Sequence, residues 1–155
     1  MNAERYTDRA KGFIQSAQSL AMREGNPQFT SLHLLKVLLD DNEGLASGLI
    51  DRAGGNSRAI LDETGAALAK LPKVSGAGAG QAYLAPDLAR VFTAAEKLAD
   101  KAGDSFVTVE RLLQAMASDK DGDAGKLLVR GGVSPQQLGA AIEALRKGRT
   151  ADSAS

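Results

Sequence analysis

Gly125, Lys126 and Leu127 are the nearest this chain comes to a phosphate-binding loop. Such a loop needs Gly, four residues, Gly, Lys and then Ser or Thr, so that backbone N–H groups and the lysine wrap a phosphate. Here the terminal hydroxyl and the first glycine are both missing, so nucleotide binding is not expected. Gly76, Gly78 and Gly80 alternate with alanine; the spacing is wrong for a dinucleotide fingerprint and no strand precedes it. Asp119, Asp121 and Asp123 alternate as calcium-binding carboxylates do, but the sixth and twelfth positions of that loop are Ala124 and Arg130 instead of Gly and Glu. The run reads as a solvated helix junction. His33 is the only histidine and there is no cysteine, which removes thiol catalysis, disulfides and thiolate metal sites and leaves His33 as a structural or solvent-facing residue. No pair of acids stands out as a general acid and base, although a pair assembled by the fold stays open.

Without a catalytic motif, function must come from surface, and composition limits which surface. Lys plus Arg and Asp plus Glu are 19 each, so no net field draws the chain to nucleic acid or an anionic membrane. No segment approaches the ~20 apolar residues of a membrane span. The start, MNAERYTDRA, has no apolar stretch of the secretory kind, and a cytoplasmic location is expected. Hydrophobic residues reach 43% while aromatics are only 4%, a balance of Ala and Leu that favours helices. The expected fold class is all-α.

A repeat organises those helices. At an offset of 78, without gaps, Ala17, Leu20, Ala21 and Gly25 meet Ala95, Leu98, Ala99 and Gly103, and Thr30, Leu34 and Leu35 meet Thr108, Leu112 and Leu113. The register continues until Arg52 and Gly54 meet Arg130 and Gly132. Each half reads as four helices. In the first, Tyr6, Ala10, Phe13, Ala17 and Leu20 recur at helical spacing. Thr30 or Ser31 caps the second helix, Gly44 separates off the third, and Asn56 or Ser57 caps the fourth. In the second half Pro86 opens a helix with the stripe Leu88, Val91, Ala95 and Leu98, Thr108 caps the next, and Ser134 with Pro135 starts the last. Residues 1–71 and 84–147 are therefore the two four-helix repeats, 72–83 a flexible Gly/Ala-rich linker, and 148–155 the start of a disordered connector. A unit of about 60 residues buries proportionately little surface and is marginal alone, so the repeats should pack as one pseudo-twofold globule.

This plan, together with GFIQSAQSLA, QFTSLHLLKVLLDD, LPKVSG, LARVFTAAEKLADKAGDSFVTVERLL and IEALRKGRTADSAS, resembles the Clp N-terminal repeat domain of ClpB-type disaggregases over roughly residues 1–150. The resemblance implies a non-catalytic domain that engages unfolded or aggregated proteins, monomeric alone but belonging to a homohexameric AAA+ parent. It implies no cofactor in this domain, with ATP and magnesium confined to ATPase modules outside this chain. It also implies a groove between the first helix and the fifth and sixth, with Thr7, Asp104 and Glu110 as its polar set and Phe92, Ala94 and Arg111 as its lining. Phe92, one residue off the Val91 stripe, is expected to face a surface cleft. Ala94 is smaller than the aliphatic usual in the family, and Arg111 replaces an apolar residue. A relative recognises phosphoarginine through a Glu in both repeats; here Glu110 has Leu32 as its counterpart, which breaks that pair. The competing readings are an adaptor-docking platform and a small helical enzyme.

Overall fold

Five side chains start five of the helices by accepting a backbone N–H that the first helical turn leaves unpaired. Thr7 accepts from Ala10, Thr30 from Leu32, Asn56 from Ala59, Thr108 from Arg111 and Ser134 from Gln137. The computed structural model describes residues 1–76 and 80–155. The helices are α1 (Asp8–Arg23), α2 (Ser31–Leu39), α3 (Leu45–Arg52), α4 (Ser57–Ala69), α5 (Pro86–Ala102), α6 (Val109–Ser118), α7 (Asp123–Arg130) and α8 (Pro135–Arg146). The all-α class holds, the two capping choices left open in the sequence resolve to Thr30 and Asn56, and Ser134 caps the last helix as expected. Among the described residues no helix is long and apolar enough to cross a membrane.

The duplication is metrically strict. Asp8 and Pro86, Ser31 and Val109, Leu45 and Asp123, and Ser57 and Pro135 open corresponding helices, each displaced by 78 residues. Packing across the halves is reciprocal: α3 lies on α8 as α7 lies on α4, and α2 lies on α7 as α6 lies on α3. Gly54 and Gly132 adopt φ of 89° and 88°, a conformation open to glycine at no steric cost. The turns they form meet at the pseudo-axis, where Asn56 N–H donates to Gly131 C=O at 3.0 Å. A Cβ at Gly55 would strike Val133, and one at Gly131 would strike Ile60.

Among the described residues two short strands lie outside the helical plan. β1 (Gln28–Phe29) pairs in parallel with β2 (Tyr83–Leu84), Phe29 opposite Leu84, and Tyr6 forms an isolated parallel bridge with Val107. Offset by 78, Tyr6 corresponds to Leu84 and Val107 to Phe29, so each repeat's entry segment pairs with the other repeat. The expected stripe of the first helix is corrected here. Tyr6 precedes α1, so although it is fully buried and its main chain forms this bridge, it is not part of the α1 face.

The segments expected to be loose are also tied at identifiable points. Within 72–83, Pro72 C=O accepts from Asn26 Nδ2 at 3.0 Å, Val74 N–H donates to Gly25 C=O at 2.8 Å and Tyr83 belongs to β2; residues 77–79 of that stretch lie outside the described residues. Within 148–155, Ala151 and Ala154 hydrogen-bond back onto the domain. Gly125, of the rejected phosphate loop, lets α7 approach the end of α6, because a Cβ there would collide with Asp119 C=O. Asp119 itself pairs with Arg90 at 3.2 Å.

Candidate functional site

Asp104 follows Gly103, whose left-handed φ of 77° ends α5, and it turns inward. Its side chain is wholly buried, which requires full pairing of the carboxylate. Arg146 on α8 forks onto it, Nη1 to Oδ1 at 2.7 Å and Nη2 to Oδ2 at 2.9 Å. Arg111 on α6 adds Nε to Oδ2 at 3.2 Å, and Ala151 N–H donates to Oδ1 at 3.0 Å. Arg146 Nε reaches Glu110 at 2.9 Å and its Nη2 reaches Thr108 Oγ1 at 3.2 Å. Arg111 continues outward to Gln114 and Glu143 at 2.9 and 3.4 Å. Burial alone would raise the Asp104 pKa, but hydrogen bonds from Arg146, Ala151 and Arg111 outweigh it and hold the carboxyl at about 2. The bonds to Asp104 and Glu110 push the Arg146 guanidinium up, against its own burial.

Three residues expected at the surface groove are therefore parts of a buried ion network, and two expectations are corrected. Asp104 and Arg111 are each 4% exposed, and the chain at Ala151 lies over Asp104, so neither stands on an open surface in this conformation. Phe92 is 3% exposed. The stripe that α5 buries is Leu88, Val91, Phe92, Ala95 and Ala99, wider than one row and including Phe92 while leaving Leu98 half-buried. Its ring meets Tyr6 edge-to-face, with centroids 6.0 Å apart at 88°. Tyr6 Oη donates to Glu96 at 2.8 Å, and burial, with that bond, raises the phenol pKa above its usual value. Thr7, Ala94 and Glu110 are half-buried and reach the surface. Thr7 is held beside the network because its N–H donates to Val107 C=O at 3.0 Å.

Arg146 is the residue that sequence reading missed. Its signal lay in the unlike pairs of the repeat, where Asn26, Leu32, His33 and Leu68 of the first half face Asp104, Glu110, Arg111 and Arg146 of the second. Four neutral positions become charged together. In the first half the same place is an open cleft of about 230 Å³, floored by Leu20, Gly65, Leu68 and Ala69 and flanked by Glu24 and Lys36. Gly65 and Leu68 leave vacant what Glu143 and Arg146 fill on the other side.

His33 is fully buried and takes the place of Arg111. Its Nδ1 accepts from Thr30 N–H at 3.0 Å and its Nε2 contacts Asn26 Oδ1 at 2.9 Å, which defines a neutral ring protonated on Nε2. Burial lowers its pKa, only partly opposed by the charges of Asp87 and Glu24. Among the described residues no group of three His, Cys, Asp or Glu side chains is placed to hold a metal ion.

A duplicated four-helix domain with reciprocal strand pairing and a buried Asp–Arg centre defines the class, and the comparisons give its family. The Clp repeat (R) N-terminal domain model matches residues 5–130, and the chain belongs to that family. It is 74% identical over its full 155 residues to the N-terminal region of the chaperone protein ClpB of Rhodopseudomonas palustris and 57% identical to that of Rhizobium meliloti; it spans 18% of the length of each. Its fold matches the Hsp104 N-terminal domain from Candida albicans with a TM-score of 0.82 at 23% identity, covering 97% of both chains. It also matches a ClpV N-domain in complex with a VipB peptide, TM-score 0.72 at 18% identity, covering 97% of this chain and 91% of that one.

Proposed function

We propose that this domain engages unfolded or aggregated polypeptides on behalf of an ATP-driven chaperone of the ClpB type. The observation that supports this most is the 74% identity to a ClpB along the entire chain. In this reading the parent is a cytoplasmic homohexamer, ATP and magnesium act in modules outside this chain, and the domain is a monomer without a cofactor. The contact surface is the face around Thr7 and the turn at 104–106, with Ala94 and Glu110 at its edge. Phe92, Asp104 and Arg111 shape that face from beneath. The geometry favours a binding module over an enzyme, because the converging acids Asp104 and Glu110 are held by arginines. A catalytic acid pair needs one carboxyl raised toward neutrality, and Asp104 is pushed the opposite way.

Chemical-shift mapping of the labelled domain with unfolded α-casein tests this. Saturable shifts around Thr7 and residues 104–110 are expected, with affinity no better than tens of micromolar, since one buried apolar side chain contributes only about 1.5–3 kcal/mol before ordering costs. Casein that leaves every amide unmoved would sink the reading. The first-repeat cleft favours a second reading, docking of an adaptor, in line with the peptide carried by the ClpV N-domain. Shifts confined to Leu20, Gly65 and Leu68 with one defined peptide sequence would favour it.

A further inference from the structure

The segment after α8 turns back onto the domain. Lys147 and Gly148 adopt left-handed φ of 53° and 83°, Arg149 N–H returns to Arg146 C=O at 3.1 Å, and the next residues cross the face above Asp104. Ala151 is gripped on both sides of its peptide unit. Its N–H donates to Asp104 Oδ1 at 3.0 Å, and its C=O accepts from Ser105 and Phe106 N–H at 2.8 and 3.1 Å. Ala154 C=O then accepts from Asp8 N–H at 2.7 Å. That donor opens α1 and is left free by the Thr7 hydroxyl, which takes Ala10. Ala151 and Ala154 are half-buried; Asp152 and Ser153 between them face solvent.

Every hydrogen bond from residues 150–154 to this face uses the segment's main chain, so the face reads a backbone and not a side-chain sequence. Three N–H donors and one carboxylate acceptor are arranged for one crossing peptide. The segment's own side chains are small, so little apolar area holds it in place. We propose that residues 150–154 are a strap that occupies, in cis, the site where this domain takes a stretch of non-native polypeptide, and that a client binds by displacing it. The proposal rests on the polypeptide-binding reading above. It assigns Asp8, Ser105 and Phe106 as the amides that pass from strap to client, and Asp104 as the acceptor they share.

A site closed by its own strap nine-tenths of the time binds an outside ligand about tenfold more weakly than the open site. Two variants open it: the chain ended after Gly148, and Ala151→Pro, which keeps the tail but removes the N–H given to Asp104. The second serves if the first does not fold. Unfolded α-casein is titrated into the full chain and both variants, with amide exchange followed in parallel. The expected results are tighter binding by the folded variants, on the order of tenfold, shifts at Asp8, Ser105 and Phe106, and faster exchange of Ala151 as casein is added to the full chain. Equal affinity of a folded variant and the full chain, with shifts away from those three amides, overturns the strap while leaving polypeptide binding intact. If casein binds none of the proteins, the polypeptide-binding reading fails and the strap's competitive role goes with it, whereas protection of Ser105 in the unbound chain reports the docked segment separately.

Discussion

The turns after α1 and after α5 hold their repeats together with the same geometry and opposite chemistry. In the first, Asn26 bonds His33 on the next helix and Pro72 C=O on the departing chain. In the second, Asp104 occupies the equivalent position and bonds Arg111, Arg146 and Ala151 N–H. Both clamps close a helix turn onto the segment that leaves the last helix of the repeat. The first does so with neutral groups, so removing one partner leaves ordinary polar atoms unpaired. The second does so with a buried charge between two guanidinium groups, so removing the carboxylate leaves two buried arginines with only the outer partners Glu110 and Glu143 to balance them. Duplication preserved the geometry and left the chemistry free to diverge.

The largest expected effect follows directly. Asp104→Ala should destabilise the domain by about 3–5 kcal/mol, the range for breaking a buried ion pair on one side, whereas Asn26→Ala should cost about 1–3 kcal/mol. Chemical denaturation of the two variants side by side measures the gap; equal losses would mean that the clamps do not differ in kind. Phe92→Ala should cost about 3–5 kcal/mol as a large-to-small core change. Its counterpart Ile14→Ala should fall within about 2–5 kcal/mol. A Phe92→Ala protein with the parent's unfolding midpoint would return that ring to the surface.

Acid separates the clamps by order more than by size. His33 has its folded pKa lowered from 6.5, so its contribution is complete above 6.5 and declines as pH falls below it. Asp104 goes from 3.8 to about 2 on folding, so its contribution is present above 3.8 and lost as pH falls toward 2. Unfolding midpoints measured from pH 8 to 2 should therefore show an early decline that His33→Gln abolishes and a late one that Asp104→Asn abolishes. The smallest expected effect is at Arg5, whose bond to Asp100 at 2.9 Å is solvent-exposed. Arg5→Ala should change stability by less than about 1 kcal/mol, and a larger loss would give that surface pair an unexpected part in the Tyr6–Val107 bridge.

Helices and their starts were legible in the sequence because apolar spacing and capping side chains act within a turn or two, and the ungapped offset transferred the plan from one half to the other. The strands were not, since two residues paired across the halves have no local period. Of the candidate residues, the ion pairing that joins Asp104, Glu110 and Arg111 was not legible. Thr7, Asp104 and Glu110 do converge near the ends of α1 and α5. Their partner Arg146 lies 42 residues beyond Asp104, and in sequence it reads as one more basic residue at a helix end. Phe92 was misjudged because Tyr6 was assigned to α1, which hid the ring it packs against.

The reciprocal bridges carry a consequence for how the chain assembles during synthesis. Tyr6 finds its strand partner only when Val107 has emerged, and Phe29 waits for Leu84. The faces of α3 and α4 that α8 and α7 cover stay bare for longer still. The first repeat on its own is thus an open half with unpaired strand edges and exposed apolar surface, the sort of species that associates with its neighbours. Closure of long loops then sets the pace. On a ribosome the nascent amino-terminal half passes through a window in which it resembles an unfolded protein needing a chaperone.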